Sequence, residues 1–215
     1  MKILQVAYKS TISGGEKVLF DLATSLKERG HDICVVCPAP GQLPDEVEKS
    51  GIDSAVIPFR KTYDLAAAVR IAGFIKKNRI EVLHSHSMLT NIISRIAGRL
   101  ARVPVSVSTE HLTMELARGG RAAPGTGRLK SAYYRFLDNS TSRFNRRVIA
   151  VSGAVRDDLI EQGVEPEKIA VIRNGIRIPD VISGAGKKLR EELGLDPDNP
   201  VVGAVGRLSP QKDYP

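Results

Sequence analysis

Three of the four histidines in this 215-residue chain fall at two sharp junctions. His84 and His86 flank Ser85 at the end of one apolar run, and His111 follows Glu110 at the end of another. Side chains two apart on a strand share a face, so His84 and His86 point to one side. If the two runs are neighbouring strands of a parallel sheet, three imidazoles and one carboxylate converge at one edge. Titratable groups gathered at such an edge mark a site, and these ligand types also admit a metal. Taken singly, each histidine reads as well as a satisfied core residue or a solvent-facing one; taken as a cluster they read as a site. Gly14-Gly15 follows the first apolar run and opens a helical pattern. Paired glycines let a ligand approach the backbone, and a helix N-terminus offers unpaired N–H groups to an anion. Neither the G-x-G-x-x-G nor the P-loop spacing is present, so the plain alternative is a tight turn. Arg207 and Lys212 follow the run 201–206 and would set two cations beside a strand end, an arrangement suited to a diphosphate. Asn174-Gly175 is a turn pair and by itself signals nothing more.

Elements that would position these residues alternate from the first residue. The pattern predicts strands over 2–8, 32–37, 54–59, 80–84, 104–109, 147–151 and 168–172, with helices over 16–29, 44–50, 64–78, 88–101, 128–144 and 153–162. Gly30, Gly51 and Gly163 close helices, and Ser152 caps one. The stretch 112–127, rich in Gly, Ala, Arg and Pro, reads as a long functional loop. Continuous apolar strands alternating with helices predict an α/β, Rossmann-like, doubly wound parallel sheet covered on both faces. Ligands of such sheets bind at the C-terminal ends of the strands, where Gly14, Gly15, His86, Glu110 and His111 fall. Residues 1–179 form this expected domain, 180–200 a linker, and 201–206 a fresh strand that opens a second domain over 201–215. A lone strand cannot make a domain, so the chain reads as an excerpt.

Composition narrows the partners. The net charge is +8, and aromatic residues make up 5% with no Trp, so the core is aliphatic. Between Arg118 and Arg147 there are eight cations (Arg118, Arg121, Arg128, Lys130, Arg135, Arg143, Arg146 and Arg147) against one acid, Asp138. No aromatic stacking platform accompanies them, which favours a phosphate or an anionic membrane surface over nucleic acid; a solvated helix face is the plain alternative. Cys34 and Cys37 lie three apart in a strand pattern, on opposite faces and about 10 Å apart, too far for a disulfide. They read as core residues in a reducing compartment. The chain opens on a strand pattern in place of a signal peptide and contains no apolar run long enough for a membrane span. The expected location is the cytoplasm, with peripheral contact at the inner membrane face through residues 118–147.

In order along the chain, Lys2-Ile-Leu-Gln-Val, Ser13-Gly-Gly-Glu16, Leu26-Lys-Glu-Arg-Gly-His-Asp32, Val82-Leu-His-Ser-His86, Ser108-Thr-Glu-His111, Ile149-Ala-Val-Ser152, Asn174-Gly-Ile176, and Val205-Gly-Arg-Leu208 with Gln211-Lys212 resemble glycosyltransferase family 4. The resemblance implies the N-terminal half of a GT-B fold, in which the first Rossmann-like domain mainly binds the acceptor and the second a nucleotide-sugar donor. It implies that Gly14 and Gly15 form the glycine-rich loop near the donor phosphates and acceptor. His111 would face the transferred sugar, and Arg207 and Lys212 would neutralise the leaving diphosphate. His86 and Glu110 are expected to line the same substrate site. The implied reaction is sugar transfer with retention, without metal or cofactor, the nucleotide sugar being a substrate. The family's paired glutamates would lie beyond Pro215, so this stretch alone is expected to be inactive. Two other readings remain open: a different GT-B enzyme such as a sugar-nucleotide epimerase, and a metal-dependent hydrolase using His84, His86, Glu110 and His111.

Overall fold

The computed structural model describes residues 1–59, 64–113, 128–176, 185–196 and 199–206. The expected strand–helix alternation is present. The strands are β1 (Lys2–Val6), β2 (Asp32–Cys37), β3 (Asp53–Val56), β4 (Val82–His86), β5 (Val105–Glu110), β6 (Arg147–Ala150) and β7 (Ile169–Val171). The helices are α1 (Gly14–Glu28), α2 (Gln42–Lys49), α3 (Leu65–Asn78), α4 (Met88–Ala101), α5 (Arg128–Ser142), α6 (Gly153–Glu161) and α7 (Ala185–Glu192). All seven strands are parallel, in the order β3-β2-β1-β4-β5-β6-β7. The direction of winding reverses between β1 and β4, which opens the switch-point crevice where doubly wound sheets take ligands.

Register explains the coverage of both faces. Ile3, Ala7, Ile33, Val35 and Cys37 pack against Leu19 and Ala23 of α1 and Leu43 and Val47 of α2. Leu4, Val6, Cys34, Val36 and Leu83 pack against Ala67, Ile71 and Ile75 of α3 and Ile93 and Ala97 of α4. Cys34 and Cys37 therefore serve opposite faces, both are free thiols, and burial pushes each up to about 12. Val148 and Ala150 of β6 meet Val155 and Leu159 of α6.

Boundaries moved for identifiable reasons. Gly14 and Gly15 lie inside the first turn of α1, two residues ahead of the expected start, where backbone N–H groups have no intrahelical partner. β4 begins two residues late because α3 ends in a closing turn: Arg79 is left-handed at φ 53° and the Ile80 N–H donates to the Ile75 carbonyl. Ser152 caps α6 by accepting from the Val155 N–H, as expected. Gly30 and Gly163 close α1 and α6 at φ 80° and 93°, a region costly for other residues.

The chain divides into two compact units, 1–174 and 175–215. In the second, Arg190 of α7 donates to the carbonyls of Asp196 and Asn199, which closes the turn after the helix. The strand expected at 201–206 is absent: these residues carry no ladder, and Val202 and Val205 are fully exposed. A strand needs a partner for its N–H and C=O groups, and none of the described residues supplies one. Arg207 and Lys212 lie outside the described residues, as does 118–127 of the basic segment.

Candidate active site

The site forms at the C-terminal edge of β1, β4 and β5. Register sets Gln5 beside His84, His84 beside Val107, and His86 beside Thr109. His84 and His86 share a face as their spacing demands, with ring centroids 4.2 Å apart. The His84 ring is anchored by a 2.8 Å hydrogen bond between Nε2 and Thr109 Oγ1. His86 Nδ1 lies 3.3 Å from His111 Nε2, the rings nearly parallel with centroids 5.6 Å apart. The edge of His111 rests over α1: a Cβ added at Gly15 would sit 3.7 Å from His111 Cδ2, whereas one at Gly14 would meet nothing within 4 Å. The three histidines thus form a row leading from the sheet to the glycine-opened helix N-terminus.

His84 and His86 are buried and His111 is half-buried. Burial, and then the His111 charge, pulls His84 down to about 4. Burial, followed by the charges of His84 and His111, drives His86 well below its usual value. Burial also lowers His111, opposed by Glu16. At neutral pH all three rings are therefore neutral, and act as hydrogen-bonding groups in place of cations.

Glu110 does not join them. Successive strand residues face opposite ways, and its carboxylate lies under α4, where Asn91 Nδ2 donates to it and Arg95 stands 3.6 Å away. Arg95 is almost fully buried and pairs with Asp138 of α5 while donating to Ser108 Oγ. One guanidinium answers one carboxylate, and Asp138 is the nearer. Burial, reinforced by Asp138, raises Glu110, and Arg95 and Asn91 offset this only in part. The convergence of three histidines with Glu110 expected from the sequence is thus corrected to three histidines alone. Among the described residues no group of three or more His, Cys, Asp or Glu is disposed to hold a metal ion.

Glu16 is the residue that sequence reasoning passed over. It lies buried in the first turn of α1, accepts from Ser13 Oγ, and its charge reaches His111. Its spacing from Ser13 was the available signal, since S-x-x-E marks a helix start. Ser87, just past His86, holds φ 83° and ψ 142°, a strained backbone for a residue with a side chain and one that clusters at functional edges. The basic segment is divided by the fold. Arg143 and Arg146 precede β6 and Arg147 opens it; all three are exposed at the sheet edge opposite the histidines, so this end of the segment lies away from the crevice.

Strand order and crevice together define a Rossmann-like, doubly wound α/β fold. A solved protein from Anabaena, HepE in complex with UDP and glucose, shares it at TM-score 0.72 and 22% identity, over 90% of this chain and 50% of that one. A UDP-N-acetylglucosamine 2-epimerase shares it more distantly, at TM-score 0.53 and 15% identity over 83% of this chain and 53% of that one. The model of Glycosyltransferase Family 4 matches residues 12–178. The chain belongs to that family, and its sheet is the Rossmann-like sheet of a GT-B fold. A curated relative is the UDP-Gal:alpha-D-GlcNAc-diphosphoundecaprenol alpha-1,3-galactosyltransferase of Escherichia coli, 29% identical over 99% of this chain and 55% of the relative. The chain therefore spans about half the length of the relatives it matches.

Proposed function

We propose that the protein to which this chain contributes transfers a sugar from a nucleoside diphosphate donor to an acceptor hydroxyl, with retention of configuration, and that unit 1–174 is its acceptor-side wall. The observation that carries this reading is the contact between His111 and the glycine-opened N-terminus of α1 at the switch point, in a member of glycosyltransferase family 4. In this reading the open backbone at Gly14 admits the acceptor and donor phosphates, and His111 hydrogen-bonds the transferred sugar. His86 and Glu110 act behind that surface: both are buried, and His86 touches His111. Arg207 and Lys212 neutralise the leaving diphosphate, a role that electrostatic preorganisation makes effective. No metal or cofactor is required in this scheme, because two cations and a helix N-terminus carry the charge.

The acceptor is an anionic, lipid-linked glycan. The support is the diphosphate-lipid substrate in the name of the E. coli relative, together with the net charge of +8. Residues 118–147 touch the anionic bilayer that holds such an acceptor. Tyr133 and Phe136, three apart on α5, are exposed, and the segment's single acid, Asp138, is withdrawn into the core by Arg95. Among the described residues no helix is long and apolar enough to cross a membrane; in this reading the contact is peripheral, at the cytoplasmic face.

The test is a donor screen on the full-length protein with UDP-, GDP- and ADP-sugars and a diphosphate-lipid acceptor, products being read for anomeric configuration. Transfer with retention supports the reading. Well-folded protein that transfers no sugar, or that only interconverts the donor's own sugar as an epimerase does, ends it.

A further inference from the structure

His86 is a buried polar group at the site whose hydrogen bonding is incomplete. It is 3% exposed, its Nδ1 faces His111 Nε2 at 3.3 Å, and its Nε2 is sealed from solvent with no partner among the described residues. The His84 ring lies tilted against it with centroids 4.2 Å apart, Thr109 fixes His84 in turn, and the His86 backbone is held by its carbonyl accepting from Thr90 Oγ1 at the start of α4. A ring so confined cannot reach a ligand in the crevice, and touches one only through His111.

The bond between the two rings carries a single proton, and two neutral imidazoles can place it in two ways. If His111 donates from Nε2, His86 must carry its own proton on Nε2, and a donor is stranded in a sealed interior. If His86 donates from Nδ1, its Nε2 is a bare lone pair and no donor is stranded. A buried N–H without an acceptor is the rarer defect in folded proteins. In the second arrangement His111 accepts at Nε2 and keeps its proton on Nδ1. That atom has no hydrogen-bond partner among the described residues, and the residue is only half-buried.

We propose that His86 is a positioning residue that locks His111 in the Nδ1–H tautomer, so that His111 carries a fixed N–H donor, on the nitrogen not bonded to His86, for an oxygen of a bound ligand. The donor suits a sugar hydroxyl or ring oxygen, or a phosphoryl oxygen. This role for the ligand rests on the sugar-transfer reading, but the tautomer does not. A free histidine side chain prefers the Nε2–H form, so a ring locked the other way is diagnostic. The confined row supplies the second-layer support by which a neighbouring group sets a histidine's orientation and tautomer.

The decisive measurement is the tautomer of His111 by long-range 1H–15N correlation on the 215-residue chain at neutral pH, with assignment from His84→Gln and His111→Asn spectra. The wild type is expected at the Nδ1–H limit. His86→Leu should release His111 toward the Nε2–H form, and His86→Asn, whose amide can stand where Nδ1 stood, should restore the lock. An Nε2–H or mixed His111 in the wild type overturns the proposal. So does an unchanged His111 in a folded His86→Leu protein; should that variant not fold, His86→Gln, which places its amide near Nε2 and not Nδ1, takes its place and must also release the ring. In the full-length protein, His86→Leu is expected to lower kcat about tenfold with little change in KM, and His86→Asn to recover most of it. A correct tautomer with no sugar transfer by any protein would end the sugar-transfer reading and leave the lock standing; transfer with the wrong tautomer would do the reverse.

Discussion

At Gly15, stability and function pull against each other. The position is helical, and a Cβ there would make ordinary contacts with His111 at 3.7 and 3.9 Å. Gly15→Ala should therefore fold and gain up to about 1 kcal/mol from helix propensity, readable by chemical denaturation. The added methyl lines the surface a ligand must approach, so the same variant should bind acceptor and nucleotide sugar more weakly in the full-length protein. A variant both less stable and unchanged in binding would contradict this account. Glu110 makes a second prediction. Burial holds its folded value at about 8, above that of an unfolded glutamate near 4.5. Between these values the native state binds the extra proton, so this group's contribution is fully present below the lower value and is lost as pH rises through the upper one. Glu110→Gln removes that loss. The stability of the variant relative to the wild type should therefore climb between about pH 5 and 8, by at most about 1.4 kcal/mol per pH unit. Parallel denaturation profiles across that range would show that Glu110 is not held protonated. The histidines act in the other direction: their folded values lie below 6.5, so their contribution is lost as pH falls through the mid-acid range.

At the scale of elements, the polar layer between α4, α5 and β5 is the least forgiving feature. Arg95 ties Asp138 of α5 to Ser108 of β5, and Asn145 joins in by donating to Ser108 and accepting from Ser106. Removing one member of a buried ion pair strands the other, at a cost of about 3–5 kcal/mol. Arg95→Met is expected to lose that much stability and to loosen α5, whereas Arg95→Met with Asp138→Leu should recover a large part of it. Thermal melts of the single and double variants would check this, and equal losses in both would show that charge balance is not what holds the layer. The same layer accounts for the basic segment. Its one acid is consumed in the core, which leaves the outer face of α5 with Tyr133 and Phe136 and the following turn with exposed arginines. The full-length protein should co-sediment with anionic vesicles and less so with neutral ones, and salt should release it. Equal behaviour on both vesicle types would return 118–147 to the status of a solvated face.

For the whole molecule, unit 1–174 contains every strand of the sheet and all three apolar clusters. A chain ending at Asn174 should therefore fold cooperatively, with a thermal midpoint within a few degrees of that of the 215-residue chain. A molten or aggregated product would mean that the second unit completes the core. The 215-residue chain itself should bind nucleotide sugars weakly and turn over none, since Val201–Gly206 forms no strand on which cations could be preorganised. Tight binding or turnover in a calorimetric and transfer assay would place the whole site within it.

The order and type of the elements through β7 were legible along the chain, their exact ends less so. Apolar runs of strand length, glycines at helix ends and the Ser152 cap are nearest-neighbour signals, and they yield the parallel sheet with Gly14, Gly15, His86 and His111 at one edge. The two-residue spacing of His84 and His86 was enough to put them on one face, and the three-residue spacing of the cysteines enough to separate them. Tertiary structure alone decided which groups meet. Glu110 and His111 are neighbours in sequence, yet pleating sends one beneath α4 and leaves the other against α1. The Arg95–Asp138 pair spans 43 residues and depends on how α5 docks, which no local pattern encodes. The missing strand at 201–206 has the same origin: alternation of residue types prepares a strand, but only a partner's hydrogen bonds make one.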